Sequence, residues 1–174
     1  PAGLKNGDDP KGQRFCGFAR RGGCRYIGME RMPSLLWALL RIVTGLMFAS
    51  HGAQKLFGWF GGPGMQGFTG WMASMGLRPA WFWGLLGGLG EFGGGLLLAL
   101  GLFDPLGSLA IIGAMAMAIG LAHWSKGFWG TKGGYEFPLV LLVTGAVLGL
   151  IGPGAYSLDA LLGIALPAPL FWGG

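Results

Sequence analysis

Five ionisable side chains lie inside or at the ends of long apolar stretches, where they could carry proton chemistry: His51, Lys55, Glu91, His123 and Glu136. A charge in an apolar surrounding is costly, so each of these groups needs a partner or a function. His51 and Lys55 are four residues apart, which places both on one face of a helix. Imidazoles and a carboxylate can exchange protons with a bound substrate. We therefore predict His51, Glu91 and His123 as catalytic residues, with Lys55 and Glu136 binding substrate.

Arg41 and Glu91 lie deeper in their apolar stretches than the other charged residues. Two unpaired charges in lipid would each cost several kcal/mol, so we predict that they form a structural ion pair that fixes helix register. The alternative is that Glu91 is a carboxylate coupled to protons or to a quinone. Both hypotheses stay open at the level of the sequence.

The two histidines could also face each other and ligate a b-type haem, because imidazoles from separate helices are good axial ligands. A simpler alternative is that each histidine bonds a Glu or Trp at the membrane interface. A metal site formed by the histidines with Glu136 has no local spacing signature, and none is predicted. Cys16 and Cys24 form a C-x7-C pattern, which fits neither a short metal knuckle nor a redox pair.

The composition indicates a membrane protein. Of 174 residues, 52% are hydrophobic and only 11% are charged, values well outside the averages of soluble proteins. Seven of the twelve Lys and Arg precede the first apolar stretch, so the net charge of +5 indicates membrane orientation and not nucleic-acid binding. That stretch is long and carries polar groups, which favours a retained span over a cleaved signal.

The predicted fold is all-α, an integral membrane four-helix bundle with a basic N-terminal extension. A span needs about 20 mostly apolar residues, and the four stretches that meet or approach this run over residues 34–56, 80–103, 106–124 and 137–151. We divide the chain into the basic extension 1–33, the four-helix domain 34–155 and a C-terminal interfacial tail 156–174.

Shorter features connect the spans. Asp104 and Pro105 predict a turn of a residue or two between the second and third spans, and residues 65–75 can form a brief interfacial helix. Ser157 predicts the cap of a short helix that ends at Leu162. Pro167 and Pro169 prevent the remaining tail from spanning.

Orientation follows from the basic extension: both termini are predicted to be cytoplasmic, in the inner membrane of a bacterium. Alternating helix directions then bring the residues of the outer end together, and we expect them in one hydrogen-bonded neighbourhood with Glu91 beneath it. The members are His51, Lys55, His123 and Glu136. Six of the eight tryptophans lie in the outer segments, and Trp83 and Trp124 are predicted to line an apolar substrate entrance.

Four blocks of sequence resemble the DoxX family of small four-helix membrane proteins. The blocks are Arg41-Ile-Val-Thr-Gly-Leu with His51-Gly-Ala-Gln-Lys55-Leu-Phe-Gly58, Glu91-Phe-Gly-Gly-Gly, Gly133-Gly-Tyr-Glu136-Phe-Pro-Leu139 and Gly152-Pro-Gly-Ala-Tyr-Ser-Leu-Asp159. They occur in family order within residues 35–162. The resemblance implies an uncleaved four-span bundle associated with membrane oxidoreductase systems, since the related DoxD type is a subunit of thiosulfate:quinone oxidoreductase.

Two hypotheses about function follow. The first is a subunit of a quinone-linked oxidoreductase system, with quinone as the possible cofactor and haem as the less favoured one. The alternative is a structural or assembly subunit of a larger membrane complex without its own catalysis. The expected partners are membrane lipid and other membrane or redox subunits, with no nucleic acid. A transporter is less favoured because the chain has neither an inverted repeat nor a broken helix, and motifs of soluble enzymes are missing.

Overall fold

A computed structural model describes residues 31–164 of the chain, in which all regular secondary structure is helical and no strand occurs. The basic extension with its two cysteines lies outside the described residues, as do Pro167 and Pro169. The helices are α1 (Arg31–Phe57), α2 (Gly64–Ser74), α3 (Ala80–Leu100), α4 (Leu106–Ala118), α5 (Glu136–Ile151) and α6 (Leu158–Leu162).

Three helical segments are long and apolar enough to cross a membrane: Ser34–Phe57, Ala80–Leu100 and Leu106–Lys126. The fourth predicted span is α5, which is apolar but has only 16 residues. At about 1.5 Å per residue it is roughly 24 Å long, somewhat less than the hydrocarbon core of about 30 Å. The predicted all-α membrane fold is confirmed.

Helices α1 and α3 pack closely because glycines face the partner backbone. A Cβ atom at Gly45 would meet the backbone of Ala99, and one at Gly52 would meet Phe92. Small residues let helices in lipid approach to backbone contact, where van der Waals packing holds them together. These contacts fix an antiparallel register between α1 and α3.

Neighbouring helices pack in sequence, α3 on α4 and α4 on α5. Their inner faces share one core, in which Phe48, Leu98, Ile111 and Leu148 are almost completely buried. The outer faces carry many exposed Leu, Val and Phe side chains, as expected for a surface in contact with lipid.

The connection between α3 and α4 is longer than predicted. Helix α3 ends at Leu100 because Gly101 adopts a left-handed conformation with φ of 60°, which stops the helix three residues before the expected end at Phe103. Five residues, 101–105, therefore join the two helices, instead of a turn of one or two.

Helix α4 continues past Ala118 in altered form. Residues Ile119–His123 form a π-helical turn, and a 3-10 turn follows at Trp124–Lys126. The short helix predicted over residues 65–75 is present as α2, and its position at the membrane interface stays a prediction. The predicted cap of the last helix is also confirmed, because Ser157 Oγ accepts a hydrogen bond from Ala160 N at 3.1 Å.

Candidate functional site

The buried charge in the middle of α3 pairs with the end of α1. Lys55 Nζ lies 2.5 Å from Glu91 Oε1, and Glu91 is only 3% exposed. The predicted pairing of Glu91 with Arg41 is wrong. In the register of α1 against α3, Leu56 lies beside Gly88 and Arg41 lies beside Gly101. Ten residues of α3 separate Gly101 from Glu91, or about 15 Å of helix.

Helix α2 packs against this ion pair. Its side chains Phe68 and Met72 are buried, and Lys55 Nζ lies 5.0 Å from the centre of the Phe68 ring. A cation at this distance from an aromatic ring is attracted by its electron-rich face. The ammonium group of Lys55 is therefore held between a carboxylate and a ring.

The second carboxylate oxygen, Glu91 Oε2, is buried and has no hydrogen-bond partner among residues 31–164. Glu91 is one of the residues that line a cavity of about 30 Å³. A cavity of that size holds about one water molecule and is too small for a ring compound. The lining residues come from α1, α2, α3 and the α4 segment: Lys55, Phe68, Trp71, Met72, Glu91, Ala114, Met117, Ala118 and Leu121.

A larger apolar groove of about 400 Å³ lies between α3 and α4. Trp83, predicted to bind substrate, is one of its walls, and Gly90 and Gly113 leave room beside it. Ala114 and Met117 line both this groove and the small cavity at Glu91, so a single layer of side chains separates the two. The volume falls within the range typical of small-molecule sites.

The first histidine of the predicted set, His51, lies elsewhere. It is exposed on α1 and lines a separate groove of about 310 Å³ with Met47, Ser50, Gln54 and Phe60. Lys55 follows His51 by four residues on α1, but its ammonium group is bonded to Glu91.

The other predicted residues organise the loop between α4 and α5. His123 Nδ1 is 2.7 Å from the carbonyl oxygen of Gly133, and Glu136 Oε2 accepts a hydrogen bond from Gly130 N at 2.8 Å. Trp124 stacks on Tyr135 with 5.5 Å between ring centres. Trp124 therefore packs on the loop, and the grooves and cavity described above do not include it.

Among the described residues, the expected single neighbourhood of His51, Lys55, His123 and Glu136 divides into three sets with different partners. A haem between two imidazoles requires both rings to face one iron, but His51 lines the groove on α1 whereas His123 bonds the carbonyl oxygen of Gly133 in the loop between α4 and α5. Within residues 31–164 no three side chains of His, Cys, Asp or Glu come together as a metal site.

At the opposite end of the bundle, Arg41 is 2% exposed and its Nη2 donates to the carbonyl oxygen of Tyr156 at 2.7 Å. Its guanidinium group occupies the space that a side chain at position 101 would need, which explains why a glycine stands there. The C-terminal end of α3 carries partial negative charge, so a cation is favourable beside it.

The same end contains a carboxylate clamp. Asp159 is 3% exposed, and its two oxygens accept hydrogen bonds from Phe103 N and Asp104 N, each at 2.9 Å. The pKa of Asp104 is raised to about 6, mainly by burial and also by the neighbouring carboxylate of Asp159, while Arg41 opposes the shift. The clamp thus fastens the segment after α5 to the connection between α3 and α4.

Comparison with known proteins agrees with the resemblance in the sequence. The DoxX family profile matches residues 36–124, slightly more than half of the chain. The chain belongs to the DoxX family. A relative, an uncharacterized membrane protein of Mycobacterium tuberculosis, is 30% identical over 145 residues, which cover 78% of this chain and 85% of the relative. No solved structure matches this DoxX protein.

Several residues of this DoxX protein that matter in the structure were not singled out from the sequence as site residues. Asp159 lies only two residues after the predicted cap Ser157, so its position gave a usable signal. Phe68 and Met117 gave no such signal, because a Phe or Met in an apolar helix is usually an ordinary core residue. Their neighbours become evident only once α2 and α4 are placed around Glu91.

Proposed function

We propose that this DoxX protein is a membrane subunit of a quinone-linked redox system, in which the groove between α3 and α4 binds the ring and Glu91 exchanges protons with it. The observation that carries the proposal is the unpartnered oxygen of Glu91 next to the layer of Ala114 and Met117. A buried carboxylate with a free oxygen is suited to proton transfer in an apolar site.

The groove favours an apolar ring compound. Trp83 offers a flat aromatic wall, the glycines leave space, and no charged residue lines it. The unbranched side chain of Met117 has three rotatable bonds, so its rotation can open the way from the groove to Glu91. Lys55 supplies a counter-charge beside the Glu91 carboxylate.

The redox balance defines what the subunit needs from outside. Reduction of a quinone to a quinol takes up two electrons and two protons. Glu91 can pass protons to the ring oxygens and be reprotonated through the small cavity. The described residues include no electron carrier, so in this proposal the electrons come from a redox protein bound to the subunit.

The groove can be tested by filling it. Gly113 lines the groove, and a Cβ atom added there meets nothing within 4 Å, so Gly113→Leu should extend into the groove without disturbing the helix backbones. Gly93→Leu is the matched control, because Gly93 is equally open but lies outside the groove. We expect the wild type and Gly93→Leu to purify in mild detergent with bound quinone, measured by extraction and mass spectrometry, and Gly113→Leu to lose most of it.

Glu91→Gln tests the proton step separately. This variant keeps the shape of the side chain, so it should retain bound quinone but lose quinone reduction when the redox partner is present. Wild-type protein that purifies without quinone from quinone-containing membranes would overturn the proposal. The chain would then be interpreted as a structural or assembly subunit.

A further inference from the structure

We propose that one face of α1 binds the same face of a second copy of this chain in the membrane. The face consists of Met47, Ser50, His51 and Gln54, spaced so that all four share one side of the helix. We call it the polar face of α1. With Phe60 it forms the groove of about 310 Å³ described above.

The polar face has hydrogen-bonding groups that nothing in residues 31–164 satisfies. The exposed imidazole of His51 and the half-buried carboxamide of Gln54 make no hydrogen bond there, whereas Ser50 Oγ donates to Leu46 O at 2.8 Å. All three polar residues lie within the candidate span of α1. His51 is six residues from the end of α1, or about 9 Å below it.

Lipid tails cannot satisfy these groups, and an unpaired polar side chain in hydrocarbon is unfavourable. Within residues 31–164, neither His51 nor Gln54 has an ion-pair partner, because the ion pair recorded there joins Lys55 and Glu91. The polar face therefore requires a polar partner from outside residues 31–164.

A second copy fits this requirement in depth and in chemistry. Copies inserted in the same direction carry their polar faces at the same depth in the membrane. A two-fold axis along the membrane normal therefore brings the polar face of one copy against the polar face of the other. A neutral imidazole and a carboxamide each donate and accept hydrogen bonds. His51 of one copy can thus bond Gln54 of the other, without like charges in contact.

Neighbouring side chains support the same contact. Leu39, Val43 and Leu46 are exposed along α1 toward its N-terminal end and can pack against their equivalents. At the other end Phe60 is 73% exposed and adopts φ of 52°, a left-handed conformation that is unusual for an aromatic residue. This conformation places its ring at the edge of the groove, where a second copy would cover it.

Proximity is tested by crosslinking in vesicles. After replacement of Cys16 and Cys24 by Ser, a single Met47→Cys on the polar face should form disulfide-linked dimers under mild oxidation at high lipid-to-protein ratio. Val143→Cys is the control, because Val143 is 50% exposed on α5, away from the polar face. Equal crosslinking at both positions would indicate random collision and would overturn the proposal.

Affinity is tested by energy transfer between labelled copies as phosphatidylcholine vesicles dilute them. His51→Leu with Gln54→Leu should weaken association on the order of tenfold, since both symmetry-related hydrogen bonds between His51 and Gln54 are lost. Gln54→Asn keeps a carboxamide and should retain more of the association. A wild-type protein that is monomeric in this assay, or a leucine variant that associates equally well, would refute the shared interface. Neither outcome depends on whether quinone binds.

Discussion

At the level of single residues, the partners in the ion pair of Lys55 and Glu91 differ in their protection from water. Glu91 is 3% exposed, whereas the side chain of Lys55 is 27% exposed and lies near the end of α1. Loss of Lys55 would leave a buried carboxylate without a counter-charge. Loss of Glu91 would leave an ammonium group that can still reach the interface. The pair is therefore energetically asymmetric.

This asymmetry predicts the order of stability in a double-mutant cycle. Lys55→Met should destabilise the protein by about 3 kcal/mol, as expected when one partner of a buried pair is removed, and Glu91→Gln should cost less. The double variant should resemble Glu91→Gln, which gives a large coupling energy. The measurement is reversible unfolding in mixed micelles, with Lys126→Met on the exposed loop as control. Additive effects of the two substitutions would contradict the pairing.

The sequence identified the right residues here but not the right partners. Lys55, Glu91 and Arg41 were recognised because charges in apolar stretches are rare. Their pairing depends on the register of α1 against α3, which is set by backbone contacts such as Gly45 with Ala99. Depth counted along each helix separately does not give this register, so it could not place Lys55 instead of Arg41 beside Glu91.

At the level of elements, the connection between α3 and α4 is held by a part of the chain more than fifty residues away. Asp159 fixes the backbone at Phe103 and Asp104, and Arg41 binds Tyr156 next to it. The carboxyl group of Asp104 thus lies in a partly buried site beside a second carboxylate. This arrangement makes the connection sensitive to protonation.

Stability should therefore decrease as the pH rises through the titration of Asp104. Its pKa is about 6 in the folded protein against an ordinary value of 3.8, so the folded state holds this proton more tightly than the unfolded state. The contribution of this proton to folding stability is fully present below about pH 4 and is lost a little above pH 6. Asp104→Asn should raise the melting temperature at pH 7.5 and have little effect at pH 4.

The control for this experiment is Asp159→Asn. Asp159 accepts two backbone hydrogen bonds, and an amide can accept only one of them. This variant should be less stable than wild type at pH 7.5, opposite in sign to Asp104→Asn. If Asp104→Asn has the same melting temperature as wild type at every pH, then ionisation of Asp104 does not destabilise the protein.

Sequence patterns were sufficient for the elements themselves. Apolar length predicted α1, α3 and α4, and the Ser157 cap predicted α6. The early end of α3 was missed because a glycine within a Gly-rich helix gives no sign of a left-handed conformation. Gly101 differs from its neighbours only because Arg41, sixty residues earlier, fills the space beside it.

At the level of the whole molecule, the first and last described residues lie on the side of the connection between α3 and α4. The loop from Lys126 to Glu136 lies at the other end of the bundle. Orientation in the membrane is a proposal that rests on charge: the basic residues of the N-terminal extension favour the cytoplasm, in the inner membrane of a bacterium.

Reporter fusions test this orientation directly. A reporter joined after Asp104 should be active on the cytoplasmic side, and one joined after Lys126 on the external side. Replacing the basic residues of the extension by Gln should weaken this preference, because Lys and Arg near the first span determine insertion. The reverse pattern of reporter activity in the unaltered chain would show that the extension does not set the orientation.

The bond between Arg41 and Tyr156 joins residues 115 positions apart. A ribosome makes Arg41 early and Tyr156 only after every span has been synthesised. Until then the guanidinium group, held in the first helix to enter the membrane, has no carbonyl to bind and Asp159 is not there to close the turn. A nascent chain interrupted before Tyr156 therefore carries a guanidinium group within its first described span that lacks this carbonyl partner.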